Sequence, residues 1–209
     1  GERLDGIAQR GLGLLRAAVL ARVQRLHDAA RQFLQAQAAG FGHHLGAVGI
    51  AGGAEKCGYV VEVLGFDACI DYRQHADPKS LSAALKAACP NGIDGNFENV
   101  GGMILDAVLA RMNAFGRIAL CGMISGYDGQ PIPLLQPQLL LVSRLKVQGF
   151  IVSEHMELWP VALKELGTLV ASGKLKYRES IAEGIEAAPQ AFLGLLKGKN
   201  FGKQLVKLV

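Results

Sequence analysis

The feature that most restricts the fold is a short, unbroken apolar run that ends in two glycines. Ala47-Val48-Gly49-Ile50-Ala51 carries no polar side chain, as a parallel strand covered on both faces requires. Gly52-Gly53 then turns the chain, and Ala54-Glu55-Lys56-Cys57 starts a helix. A buried strand that passes through a glycine turn into a helix is the entry to a βαβ unit. The turn also sets a lysine beside the first backbone N–H groups of the helix. Free donors, the positive end of the helix dipole and a cation together favour an anion there.

The same alternation continues along the chain. A helix over Glu55–Leu64 turns Val60, Val61 and Leu64 inward and is capped by Gly65. Phe66–Tyr72 follows as a second strand. Pro78 opens a helix lined by Leu81, Leu85 and Ala88, which stops at Pro90-Asn91-Gly92. Ile93–Val100 is a third strand, Met103–Met112 a helix and Arg117–Gly122 a fourth strand. Beyond the prolines at 131, 133 and 137 come a short helix from Leu139 and a fifth strand over Leu145–Val152. Helices over Trp159–Ser172 and Pro189–Leu196 precede a terminal strand over Gln204–Val209. Strands alternating with helices of about ten residues predict an α/β fold with a doubly wound, mostly parallel sheet.

Residues 1–44 are different. They hold six arginines and no lysine, whereas the remainder holds eleven lysines and five arginines. Leu15, Val19, Val23, Leu26, Ala30, Phe33 and Leu34 recur at helical spacing, which predicts an amphipathic helix from about Leu14 to Gln37. Its basic face suits a membrane surface or a partner, and its apolar face suits packing on the domain. Gly11-Leu12-Gly13 and Gly40-Phe41-Gly42 begin like dinucleotide fingerprints, but Arg16 and Leu45 stand where the third glycine belongs. The expected organisation is an arginine-rich helical segment over 1–44 and a nucleotide-binding domain over 45–209.

A net charge of +4 suits small anionic ligands and gives no argument for nucleic acid. Cys57, Cys69, Cys89 and Cys121 have neither C-x-x-C pairing nor metal spacing. They read as thiols in a reducing cytosol, so no metal and a cytoplasmic location are expected. No apolar run reaches the length of a membrane helix, and no signal peptide opens the sequence.

In an open parallel sheet, ligands lie beyond the carboxyl ends of the strands. The residues expected there are Gly52, Gly53 and Lys56 after the first strand, and Tyr72, with Arg73 beside it, after the second. Asn99, Val100 and Gly101 follow the third, Cys121, Gly122, Ile124 and Ser125 the fourth, and Phe150 and Val152 the fifth. Each has a plain alternative. The glycines suit any helix-start turn, Lys56 a solvated surface, Tyr72 a half-buried strand end and Asn99 a turn. The set at consecutive strand ends carries the argument. No acid follows the first strand to grip a ribose 2′-hydroxyl. Lys56 and Tyr72 offer a cation and a hydroxyl instead, which favours the 2′-phosphate of NADP(H).

From about residue 45 onward the chain resembles the medium-chain dehydrogenase/reductase superfamily, in its zinc-independent, NADP-dependent alkenal (prostaglandin/leukotriene) reductase branch. The matching stretches include Gly49-Ile50-Ala51-Gly52-Gly53-Ala54-Glu55-Lys56, Phe97-Glu98-Asn99-Val100-Gly101-Gly102, Cys121-Gly122-Met123-Ile124-Ser125 and Gly198-Lys199-Asn200-Phe201-Gly202-Lys203. The resemblance implies a Rossmann-like domain and reduction of the C=C bond of α,β-unsaturated aldehydes or ketones by NADPH. It implies that Lys56 and Tyr72 hold the 2′-phosphate and that Asn99 lies along the cofactor. Phe150 and Val152 would then flank the nicotinamide, Asn200 would reach back from the tail, and two copies would pair through the edge near Leu139–Val152. Two departures stand out. Val142 occupies the place of a substrate-side tyrosine found in eukaryotic members, which leaves the proton donor to Tyr127 or water. The family's usual first strand, its pyrophosphate loop and its N-terminal catalytic domain are not recognisable before residue 45. With a strand missing, unpaired sheet edges are expected.

Overall fold

A computed structural model describes residues 46–208. The helix expected over Leu14–Gln37 and the two imperfect fingerprints lie outside the described residues. The chain divides into two compact units. One contains residues 46–149 and 178–208; the other contains Phe150–Tyr177.

The larger unit opens with β1 (Val48–Ala51). The α1 helix (Ala54–Gly58) follows and widens into a π-helical turn over Tyr59–Val63. Strand β2 (Ala68–Asp71) pairs parallel to β1, with Gly49 opposite Cys69 and Ala51 opposite Asp71. A 3-10 turn over Tyr72–Gln74 leads to α2 (Pro78–Ala88). Pro78 stands in its first turn, where a missing N–H costs nothing, and Asp77 caps it by accepting from the Ser80 amide at 2.7 Å. Next come β3 (Ile93–Glu98), α3 (Gly102–Leu109) and β4 (Met112–Leu120). The short α4 (Gln138–Val142) and β5 (Lys146–Gly149) complete this stretch. Strands β3, β4 and β5 form one parallel ladder in that order.

The smaller unit holds α5 (Trp159–Ala171), whose Leu166 is buried with Leu175 among Leu163, Leu169 and Val170. The chain then returns to the larger unit through β6 (Glu179–Glu183), α6 (Ala188–Leu196) and β7 (Lys203–Lys207). Strands β6 and β7 are parallel. Every strand pair is therefore parallel, and each is joined by a helical crossover. This is the expected Rossmann-like α/β class.

Helices α2 and α3 pack on each other above this framework. Leu81 and Leu85 of α2, Ile104, Ala107, Val108 and Leu109 of α3, Ile70 and Ile118 form the main core. Val48 and Ile50 of β1 pack against the same core.

The sheet is less continuous than the sequence suggests. Strands β1–β2 and β3–β4–β5 are separate ladders. Among the described residues no strand pairs with the second edge of β1 or with the outer edge of β3. The fifth strand stops at Gly149 rather than Val152, and Val152–Leu158 is a 3-10 segment. The terminal strand has a partner, β6, that the pattern reading does not contain.

Candidate functional site

The glycine turn after β1 is built by long-range bonds. The Gly53 amide donates to Oδ1 of Asp71, at the end of β2, at 2.8 Å. The same oxygen accepts from the Arg73 amide at 3.1 Å, and Oδ2 accepts from Gln74 Nε2 at 3.3 Å. The bond from Gly53 is the main reason that Asp71 is held below the usual carboxylate range. The N–H of Gly53, the residue before the helix, is thus taken by a carboxylate from the neighbouring strand. The side chains of Tyr72 and Arg73 follow that strand.

Those side chains converge on Gly52. A Cβ there would lie 2.9 Å from Arg73 Nε, 3.0 Å from Tyr72 Cε1 and 3.1 Å from the Tyr72 hydroxyl. A Cβ on Gly198 would lie 3.3 Å from Arg73 Nη2. Lys56, one turn into α1, donates from Nζ to the carbonyl oxygen of Gly198 at 2.8 Å. Its ammonium group is held below the ordinary lysine range by burial and by the nearby Arg73, with Glu55 opposing. Tyr72 therefore stands against Gly52, and Lys56 reaches Gly198 beside Arg73. Arg73 and Gly198 are the additions. Arg73 had a sequence signal, its place next to Tyr72; Gly198 is brought in by the fold from the far end of the chain.

The tail is fixed against α1. Phe201 meets the Tyr59 ring edge-on, with centroids 5.3 Å apart. The Arg178 guanidinium stacks 3.9 Å from the Phe201 centroid and reaches Glu55 at 3.4 Å. Asn200 lies in this tail, but its amide nitrogen closes a local turn onto the carbonyl oxygen of Gly202 at 2.6 Å.

A second group forms at the ends of β3 and β4. Buried Glu98 accepts from the amides of Val100 (2.7 Å) and Gly101 (2.8 Å), and from Asn96 Nδ2 at 3.0 Å. Its main-chain oxygen accepts from the Cys121 amide. The Ile124 amide donates to the Asn99 carbonyl oxygen, and the Ser125 amide and hydroxyl donate to that of Val100. Asn99, Cys121, Ile124 and Ser125 are thus drawn together at the ends of these strands. The Tyr127 hydroxyl and the Asn99 side chain both border Gly122, each 3.4 Å from where its Cβ would stand. Phe150 and Val152 belong to the smaller unit, beyond the end of β5. Among the described residues no three potential metal ligands cluster.

The parallel βαβ framework thus carries Arg73 and the Tyr72 hydroxyl at Gly52, and Lys56 at Gly198. Residues 34–168 match the model of the zinc-binding dehydrogenases.

The chain belongs to the zinc-binding dehydrogenase family.

Within that family, the chain is 45% identical over 168 residues to the NADPH-dependent curcumin reductase of Escherichia coli. The match takes in 77% of this chain and 48% of the relative. It is 43% identical to the NADP(+)-dependent 2-alkenal reductase of Nicotiana tabacum, over 76% of the chain and 46% of that protein. The crystal structure of CurA from Vibrio vulnificus in complex with NADPH aligns with a TM-score of 0.68 at 42% identity. It covers 78% of this chain and 49% of CurA. The chain thus spans about half the length of the curated relatives that it matches.

Proposed function

We propose that this chain is the NADP(H)-binding part of an oxidoreductase that reduces the C=C bond of α,β-unsaturated aldehydes or ketones. The observation that carries the reading is that Arg73 and Tyr72 meet at Gly52, and Arg73 and Lys56 meet at Gly198. Two cations and a hydroxyl fit a phosphate dianion, and the glycine lets Arg73 and Tyr72 close over the turn. The family and the activities of the relatives support the same reading.

In this proposal Lys56, Tyr72 and Arg73 hold the 2′-phosphate, with Gly52 and Gly53 giving close approach. Asn99, Cys121, Ile124 and Ser125 line the cofactor's path, Phe150 and Val152 lie by the nicotinamide, and Asn200 contributes from the tail. Bound NADPH supplies the hydride that goes to the β-carbon of the substrate. The protein supplies position and electrostatics, and the Tyr127 hydroxyl is the candidate proton donor to the α-carbon. We assign residues 45–209 to cofactor binding and 1–44 to a separate segment, in a cytoplasmic protein. Exposed Leu141, Val142 and Val147 near the β5 edge suit pairing of two copies. Among the described residues no helix is long and apolar enough to cross a membrane.

A second reading, a non-catalytic nucleotide-binding or interaction module derived from such a reductase, is favoured by the break between β1 and β3. One experiment separates the two: NADPH binding followed by fluorescence, then turnover of a short 2-alkenal. Binding with turnover supports the reductase, and binding alone supports the module. No binding at millimolar NADPH contradicts both.

A further inference from the structure

Cys57 and Cys69 are twelve residues apart in sequence, and their sulfur atoms are 3.1 Å apart. Cys57 lies in α1 and Cys69 in β2, so the two thiols join a helix to the strand beneath it. The strand register makes room for them. Gly49 of β1 stands opposite Cys69, and a Cβ there would come within 3.3 Å of its sulfur. Both residues are only part-buried, so a small oxidant reaches them. The other two cysteines lie elsewhere in the fold: Cys89 just after α2 and Cys121 just after β4.

We propose that Cys57 and Cys69 are a redox-active dithiol, closed to a disulfide by hydrogen peroxide. A disulfide places the sulfurs about 2 Å apart, so closure asks for a movement of only about 1 Å. The hydrogen bond sets the order of events. Cys69 donates its S–H to the sulfur of Cys57, and burial together with that bond pushes the Cys69 thiol up to about 12. Cys69 keeps its proton, and Cys57 is the first nucleophile. Its sulfur attacks one peroxide oxygen as the O–O bond breaks. Cys57 becomes a sulfenic acid, oxidised by two electrons, and the second oxygen leaves as water with the thiol proton. The Cys69 sulfur then attacks the Cys57 sulfur. The S–O bond breaks, and the departing hydroxyl takes the Cys69 proton as a second water. Two thiols and one peroxide give one disulfide and two waters.

The crosslink ties α1, which carries Lys56, to β2, which ends in Asp71. It therefore fastens the helix and the strand that frame the glycine turn.

The test uses the full chain, treated with hydrogen peroxide and then alkylated without reductant. Trypsin leaves both cysteines on one peptide, Cys57–Arg73, because no lysine or arginine lies between them. The expected product is that peptide, lighter by two hydrogens and unalkylated. After further cleavage at Glu62 its two halves stay joined until a reductant is added. In Cys69→Ser the reaction stops at a Cys57 sulfenic acid that dimedone traps, and in Cys57→Ser residue 69 stays a thiol. Full alkylation of both cysteines after peroxide would overturn the proposal. So would over-oxidation of Cys57 beside an unreacted Cys69, or crosslinks through Cys89 or Cys121.

Discussion

Lys56 is the residue on which the functional reading turns, and its environment makes a pH prediction. Burial and Arg73 hold its ammonium group below 10.5. In the window between that lowered value and 10.5 the unfolded chain binds more protons than the folded one. Stability at this residue therefore rises with pH through the window. NADPH affinity moves the opposite way, because the lysine loses the charge that attracts the phosphate. Titration calorimetry should show NADPH binding weakening as pH rises, beginning below 10.5, with NADH binding flat over the same range. Gly52→Ala is a complementary change. Its Cβ would press on Arg73 and on Tyr72, which also packs against the core. The expected result is a loss of NADPH affinity of about tenfold, or ~1.4 kcal/mol, with a small fall in melting temperature. Lys56, Tyr72 and the two glycines were legible in the sequence because strand ends mark ligand sites. The Asp71–Gly53 bond was not, because it joins residues eighteen apart that only the β1–β2 register brings together.

At the scale of elements, the turn from β3 into α3 depends on Glu98. Its side chain is 2% exposed and accepts two consecutive backbone N–H groups. Glu98→Ala leaves a buried and a part-buried amide without an acceptor and should cost about 2–4 kcal/mol. Glu98→Gln keeps one acceptor oxygen and should lose less than half as much; paired urea titrations compare the two. Most helices and strands could be read from apolar period and turn chemistry, as at Asp77-Pro78 and Pro90-Asn91-Gly92. Strand β6 could not. Glu179-Ser180-Ile181-Ala182-Glu183 has charged ends and no apolar run, and its strand conformation comes from pairing with β7 twenty-four residues later. The end of β5 was overrun for the converse reason: Phe150, Ile151 and Val152 look strand-like but lie beyond the last paired residue, Gly149.

At the scale of the molecule, two parallel ladders share one helical layer and one core without sharing a hydrogen bond between β1 and β3. The sequence made the fold class and the family resemblance plain, and it anticipated unpaired edges. It could not show how the halves hold together, which rests on α2 packing against α3 and on Leu81, Leu85, Val108 and Leu109. For NADPH to be held, this divided framework must still present one phosphate-binding corner. The most direct test is calorimetric titration of the full chain and of Lys56→Gln with NADPH and with NADH. The prediction is that the unaltered chain prefers NADPH by about ten- to a hundredfold, the worth of one charge-assisted phosphate contact, and that Lys56→Gln loses the preference while binding NADH as before. Equal affinity of the unaltered chain for the two cofactors, or a preference untouched in Lys56→Gln, would contradict it.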